Sequence, residues 1–295
     1  MSSATIDRII PLSFRGIFLF CLAVLLFVIM DSIVKYANET YEPLQVVWAR
    51  YFFHMLLMTL VLAPKLKMSL VVTAKPKLQV FRSMLLLGAT ICFFSALKYI
   101  PLADAGAMGS TSPLFVTVLS VFLLGEKVSI RRWTAVFIGF GGALIILRPG
   151  MGIVHPAMFL VVGMSIFYAS YQIATKKLAN VDSSYTTIFY TALVGTVVMT
   201  AIVPFFWVQP DLMGWVMLAT IGLIGGVSHF IIIVAFRYTN ASTVAPFSYT
   251  QLIWTAIFGY IFFGDLPDAY TILGAIIIVG SGLYILYRER KISED

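Results

Sequence analysis

The sequence predicts an all-α polytopic membrane protein: ten transmembrane helices forming two inverted five-helix repeats, with both termini cytoplasmic. Three observations predict it. First, 60% of the 295 residues are hydrophobic and only 11% are charged, whereas a soluble chain carries about a quarter charged residues. Second, apolar runs long enough to cross ~30 Å of hydrocarbon, at 1.5 Å per helical residue, recur along the whole chain. Third, the second half repeats features of the first in fixed register.

The runs that qualify as spans 1 to 10 are 16–37, 43–63, 78–99, 102–124, 131–148, 156–177, 185–208, 213–237, 240–263 and 269–287. Span 1 follows the basic residues Arg8 and Arg15, but no small-residue cleavage site ends its apolar core. The run continues into Asp31-Ser32-Ile33-Val34-Lys35 and reads as a retained helix. Spans 3 and 4 are joined by Ile100-Pro101 and spans 8 and 9 by Thr239-Asn240, so each pair is a tight antiparallel hairpin. A cytoplasmic N-terminus places sixteen basic residues inside: Arg8, Arg15, Lys65, Lys67, Lys75, Lys77, Arg82, Lys127, Arg131, Arg132, Lys176, Lys177, Arg237, Arg288, Arg290 and Lys291. Only Lys35, Lys98 and Arg148 then fall outside, with Arg50 within span 2. That asymmetry is the positive-inside pattern.

The same composition excludes several functions. Cys21 and Cys92 both lie in apolar runs, so neither a disulfide framework nor a zinc site is available. Three histidines without HExxH spacing do not make a metalloprotease, and no phosphate-binding G-x-x-x-x-G-K-[ST] loop is present. The net charge of +7 sits beside spans and reads as orientation in the bilayer, with no nucleic-acid partner.

The repeat aligns Ala96-Leu97-Lys98-Tyr99 with Ala235-Phe236-Arg237-Tyr238, Gly125-Glu126 with Gly264-Asp265, and Gly141-Gly142-Ala143-Leu144 with Gly280-Ser281-Gly282-Leu283. Residues 1–150 and 151–295 form the two units. Five spans per unit is an odd number, so the second unit crosses the membrane in the opposite sense. Inverted repeats of this kind recur in secondary transporters, with substrate near the midplane between the halves. Ala135, Gly139 and Ala143, and likewise Gly222 and Gly226, stand four residues apart and suit close helix packing.

With Gly125-Glu126 and Gly264-Asp265 before the last span of each unit and Pro113-Leu114-Phe115 in span 4, the five-plus-five layout resembles the EamA family of the drug/metabolite transporter superfamily. The segment 241–268 most resembles the S-adenosylmethionine and riboflavin uptake branches. The resemblance covers essentially the whole chain. It implies a ten-helix bundle around a central cavity, alternating access, a small-molecule substrate, no metal or organic cofactor and no catalytic residues. The protein is then not an enzyme, and it resides in a bacterial-type inner membrane as a monomer or homodimer.

Candidate cavity residues come from polar groups at mid-span depth. Ser110-Thr111-Ser112 of span 4 lies in register with Tyr249-Thr250-Gln251 of span 9, with Pro113 and Pro246 beside them as bending points. The hydroxyls either face a cavity or bond back to their own helix; the Gln251 amide is harder to satisfy locally. Ser165, Tyr168 and Gln172 share one face of span 6, and Trp254 lies one turn from Gln251. Each serves either substrate contact or packing.

Ionisable groups inside a span are costly and face protein or water. Arg50 lies about 10 Å into span 2, with His54 one turn on; Arg50 either holds a substrate carboxylate or phosphate, or pairs with Asp31 or helix-end carbonyls. His229 is a further, weaker candidate in span 8. Asp31 and Lys35 are four residues apart, so they form either a self-neutralising pair or a proton-coupling or gating pair. The expected function is a secondary transporter moving a small polar or amphipathic metabolite, in uptake mode. An exporter of amino acids or related metabolites is the alternative, and a non-transporting scaffold is the alternative of another class.

Overall fold

A computed structural model describes residues 12–125, 128–148, 155–178, 181–239 and 241–294. Glu126, half of the first Gly-acid pair, lies outside the described residues. Helices α1 (Leu12–Ala37), α2 (Pro43–Leu66) and α3 (Pro76–Leu97) form spans 1 to 3. Span 4 is two helices, α4 (Leu102–Gly109) and α5 (Ser112–Leu124), followed by α6 (Ile130–Leu147), α7 (Met158–Leu178), α8 (Ser184–Ile202) and α9 (Leu212–Ala235). Span 9 is broken into α10 (Ala241–Val244), a 3-10 segment (Ala245–Tyr249) and α11 (Thr250–Phe263), and α12 (Ala269–Glu294) ends the chain. The breaks fall at Pro113 and Pro246, where a proline ring removes an N–H and disturbs the preceding turn. Among the described residues, nine helical stretches are long and apolar enough to cross a membrane; the tenth expected span, span 9, is divided into shorter pieces.

Local chemistry sets the boundaries. Ser183 and Asp211 cap α8 and α9 by accepting the Thr186 and Gly214 amides at 3.0 and 2.7 Å. Gly125 and Gly264 end α5 and α11 at φ 67° and 70°, a left-handed conformation that L side chains resist. The glycine of each Gly-acid pair is therefore a helix stop.

Contacts sort the connections into two ends. At one end Lys35 meets Asp265, Lys98 meets Glu42, Tyr99 stacks on His155 and Gln45 bonds Val208. At the other, Asp182 receives Thr73 and Gln79, Tyr190 reaches Val71 and Arg237 reaches Tyr185. Connections read from the sequence as outer gather at the Lys35 end, and those read as inner gather at the Asp182 end.

Spans made equivalent by the repeat meet one another antiparallel. α4 crosses α11 with Gly106 against Thr255 and Gly259 near Ala103, while α6 crosses α12 with Gly142 against Gly274 and Gly139 against Ser281. α2 meets α8 with Tyr51 against Gly195 and Trp48 bonded to Thr200. Glycine at these points lets backbones approach to the distance at which dispersion contacts hold lipid-embedded helices together.

Candidate functional site

Arg50 and Arg82 are both buried within spans, and their hydrogen bonding separates them. Arg82, expected in the basic loop group, is inside α3 and 2% exposed. Its guanidinium donates to Thr175 Oγ1 (2.6 Å), the Thr187 carbonyl (3.0 Å), Thr191 Oγ1 (2.8 Å) and Tyr171 OH (2.7 Å). It also lies 4.4 Å over the Tyr171 ring. This arginine ties α3 to α7 and α8 and has little left to offer a ligand. Gln79, Arg82 and Ser83 form a polar face at the start of an apolar span, which is the sequence signal that could have revealed it.

Arg50 is 9% exposed and differs. Among the described residues it donates one side-chain hydrogen bond, from Nη1 to Thr90 Oγ1 at 2.6 Å. The Thr90 hydroxyl itself donates to the Leu86 carbonyl, and Tyr51 OH lies 2.9 Å from Thr90 Oγ1. The rings of Phe94 and Tyr51 hold the guanidinium at 5.3 and 5.5 Å. Its Nε and Nη2 are bonded to no described group and are not among the fully buried atoms, so they remain reachable. An arginine held on one side and open on the other can grip a carboxylate or phosphate bidentately.

Around it stand further groups. His54 is 3% exposed with Nε2 buried and unpartnered, and its ring stacks on His229 at 5.7 Å and 10°. Phe27 of α1 meets the His229 ring edge-on at 5.0 Å. Tyr168 is within electrostatic reach of both Arg50 and Arg82 and stacks on Tyr171 at 5.7 Å. It is 39% exposed. Gln172, one turn on, lines a recess of about 300 Å³ with Thr117, Ser120, Arg132 and Lys176. Arg50 lies outside that lining.

The expected Asp31–Lys35 pair is not formed. Lys35 Nζ instead donates to the Ile100 carbonyl at 2.9 Å and lies 3.9 Å from Asp265, because its long stem carries the ammonium to the end of the bundle. Nor does Arg50 form an ion pair with Asp31; Arg50 is the charge acting on Asp31 from beyond ion-pair distance.

The two register-matched triplets are brought together: Gln251 Nε2 lies 3.4 Å from Ser110 Oγ. The hydroxyls of Ser110, Thr111 and Ser112 are turned back, donating to Gly106, Met108 and Gly109 at 2.9, 2.7 and 2.7 Å. Tyr249 points to Gly282 of α12, with its hydroxyl unpartnered. Trp254 packs on Phe258 at 6.3 Å.

At the Asp182 end, burial raises the Asp182 pKa, but hydrogen bonds from Thr73, Gln79 and the Ala74 amide outweigh it and hold the carboxyl below its usual range. At the Lys35 end, burial likewise raises the Asp268 pKa, while the Thr271 amide and Arg148 together lower it further.

Antiparallel apolar helices with broken centres, and reachable charges between them, define a helical membrane carrier. The EamA-like transporter family is matched over residues 14–148 and again over 155–287, and the chain belongs to that family. Its relatives include the S-adenosylmethionine uptake transporter of Rickettsia bellii, 30% identical over 88% of this chain and 89% of that one. The riboflavin transporter of Vibrio cholerae is 36% identical over 66% of each chain. The pseudopaline exporter of Pseudomonas aeruginosa is 29% identical over 90% of this chain and 93% of the relative. A crystal structure at 16% identity superposes with a TM-score of 0.63 over 95% of this chain and 97% of its own, a likeness of fold.

Proposed function

We propose that this EamA-like transporter is a secondary carrier for uptake of a small polar or amphipathic metabolite bearing an anionic group. It works by alternating access between two inverted units, residues 1–150 and 151–295, in a bacterial-type inner membrane with both termini cytoplasmic. Arg50 carries the reading: a guanidinium within the bundle with open donors binds a carboxylate or phosphate, flanked by the rings of Phe94 and Tyr51. The antiparallel meeting of span 4 with span 9 and of α6 with α12 supports inverted units, since a two-fold axis in the membrane plane brings equivalent spans together in opposite senses. Lys35, tied to Ile100 and Asp265, is a closing contact of the outer end, while the recess at Gln172 is an approach from the inner end.

The test is uptake of labelled S-adenosylmethionine and riboflavin into proteoliposomes. Accumulation that Arg50→Ala abolishes, with folding retained, is the expected result; equal accumulation by the variant removes Arg50 from the site. A second reading, export, is favoured by the likeness to the pseudopaline exporter over nearly the whole chain. Net efflux from preloaded right-side-out vesicles without matching influx distinguishes it.

A further inference from the structure

The recess beside Gln172 gathers positive charge where three spans end. It measures about 300 Å³ and is lined by Arg132 of α6, Lys176 and Gln172 of α7, and Thr117 and Ser120 of α5. No described carboxylate lines it. Thr117 and Ser120 donate within their own helix, to the carbonyls of Pro113 and Thr117 at 3.1 and 3.0 Å. The donor groups of the recess are therefore a guanidinium, an ammonium and the Gln172 amide, which makes no hydrogen bond among the described residues. Charge-assisted bonds from such a set suit the oxygens of a phosphate.

Depth and openness narrow the occupant. Arg132 follows the start of α6, and Lys176 precedes the end of α7, by two residues each, about 3 Å inside its helix end; Gln172 is about 9 Å inside. That interval runs from the headgroup layer to the edge of the hydrocarbon. The recess is also open sideways. α5 packs against both α6 and α7, while α6 and α7 barely touch each other, so α5 is the floor of a cleft between them. Phe122 and Leu123, just before Leu124 of the lining, are exposed, and so is Ile130, two residues before Arg132. Exposed apolar side chains at this level face acyl chains.

Charge and apolar surface together decide what fits. A soluble anion meets the cations but makes no use of the apolar flanks, and a zwitterionic lipid brings a cation of its own against Arg132 and Lys176. A lipid of net negative charge sets its phosphate on the cations and its chains along the flanks at once. Basic pockets between spans on the cytoplasmic side are a recurrent form of such a site. We infer that the cleft between α6 and α7 binds an anionic phospholipid of the inner leaflet, its phosphate between Arg132 and Lys176. The cleft is the inner approach proposed above, and a headgroup there forms part of its wall. The leaflet rests on the proposed orientation; the binding depends neither on Arg50 nor on transport.

The experiment is lipid retention by the detergent-solubilised protein in native mass spectrometry, with dioleoylphosphatidylglycerol and dioleoylphosphatidylcholine competing, paired with thermal stabilisation by each. The wild type should prefer phosphatidylglycerol about 25-fold and be stabilised by it, two cations contributing roughly 5-fold each. Lys176→Gln, at an exposed position, should lower that preference roughly 5-fold. Arg131→Gln, exposed at the same end but outside the lining, should keep it. Absence of any preference overturns the inference, as does equal loss in both variants, which would mark diffuse surface charge. Stabilisation by the deacylated headgroup, glycerophosphoglycerol, equal to that by the whole lipid assigns the cleft to a soluble anion and overturns it too. Loss of the preference in a protein that still shows Arg50-dependent uptake overturns this inference alone. Labelling of Lys176→Cys in intact cells by a membrane-impermeant thiol reagent overturns the orientation and the inner leaflet, while retention by the wild type would still stand as lipid binding.

Discussion

Arg82 donates four hydrogen bonds of 2.6–3.0 Å to acceptors on α7 and α8, and Arg50, one helix away, donates one, to Thr90 of α3. The same side chain is thus a brace in one place and an open hand in the other. Exchange of each by alanine should separate the roles. Arg82→Ala leaves buried hydroxyls and a carbonyl unsatisfied and should cost roughly 3 kcal/mol, read as a lower melting temperature in detergent. Arg50→Ala should keep the melting temperature near wild type and reduce uptake at least ~10-fold, the effect of one charge-assisted bond. Arg50→Lys should recover little, because an ammonium lacks the planar fork.

Gly195 touches Tyr51 so closely that a Cβ would lie 2.3 Å from the ring. A buried ring cannot swing aside cheaply, so Gly195→Ala should destabilise by about 1–3 kcal/mol. Tyr51 shares Thr90 with Arg50, and the same variant should also lower uptake. Thermal unfolding and transport measured on one preparation check both effects.

Lys35 joins α1 to the Ile100 carbonyl and to Asp265. Lys35→Ala removes both contacts and should raise the labelling rate of a cysteine placed near Asp31 by a membrane-impermeant thiol reagent added from the Lys35 end. An unchanged rate would show that this lysine does not hold the end shut.

Asp182 has a lowered folded-state pKa, so its contribution to stability is present above the ordinary carboxylate range near ~3.9 and is lost as pH falls through the lowered value. Asp182→Asn should therefore reduce thermal stability at neutral pH and flatten its loss below about pH 4. A full acid transition retained in the variant would assign that transition to other carboxylates.

The sequence reveals the helices because burial in hydrocarbon demands long apolar runs, and Pro113 and Pro246 mark the two broken ones. The repeat register marks the Ser110 and Gln251 triplets as counterparts, though not that they touch. What it does not reveal is which way long side chains turn. Asp31 and Lys35 share a helix face, yet four methylenes carry the lysine to a carbonyl on another connection. Arg82 looks like one more loop cation because its partners, Thr175, Thr187 and Thr191, lie about a hundred residues away and are individually ordinary. The serines at 110 and 112 are polar by composition, but their donors serve their own turns.

Gly106 and Thr255 press together where α4 crosses α11, with 2.9 Å between the threonine oxygen and the position a Cβ would take. A crossing this tight has no clearance for one helix to slide along the other, so relative displacement there reduces to swivelling about a fulcrum. A paramagnetic probe near that crossing would report almost stationary distances through a transport cycle, while probes at the far tips of the same helices would trace the full arc.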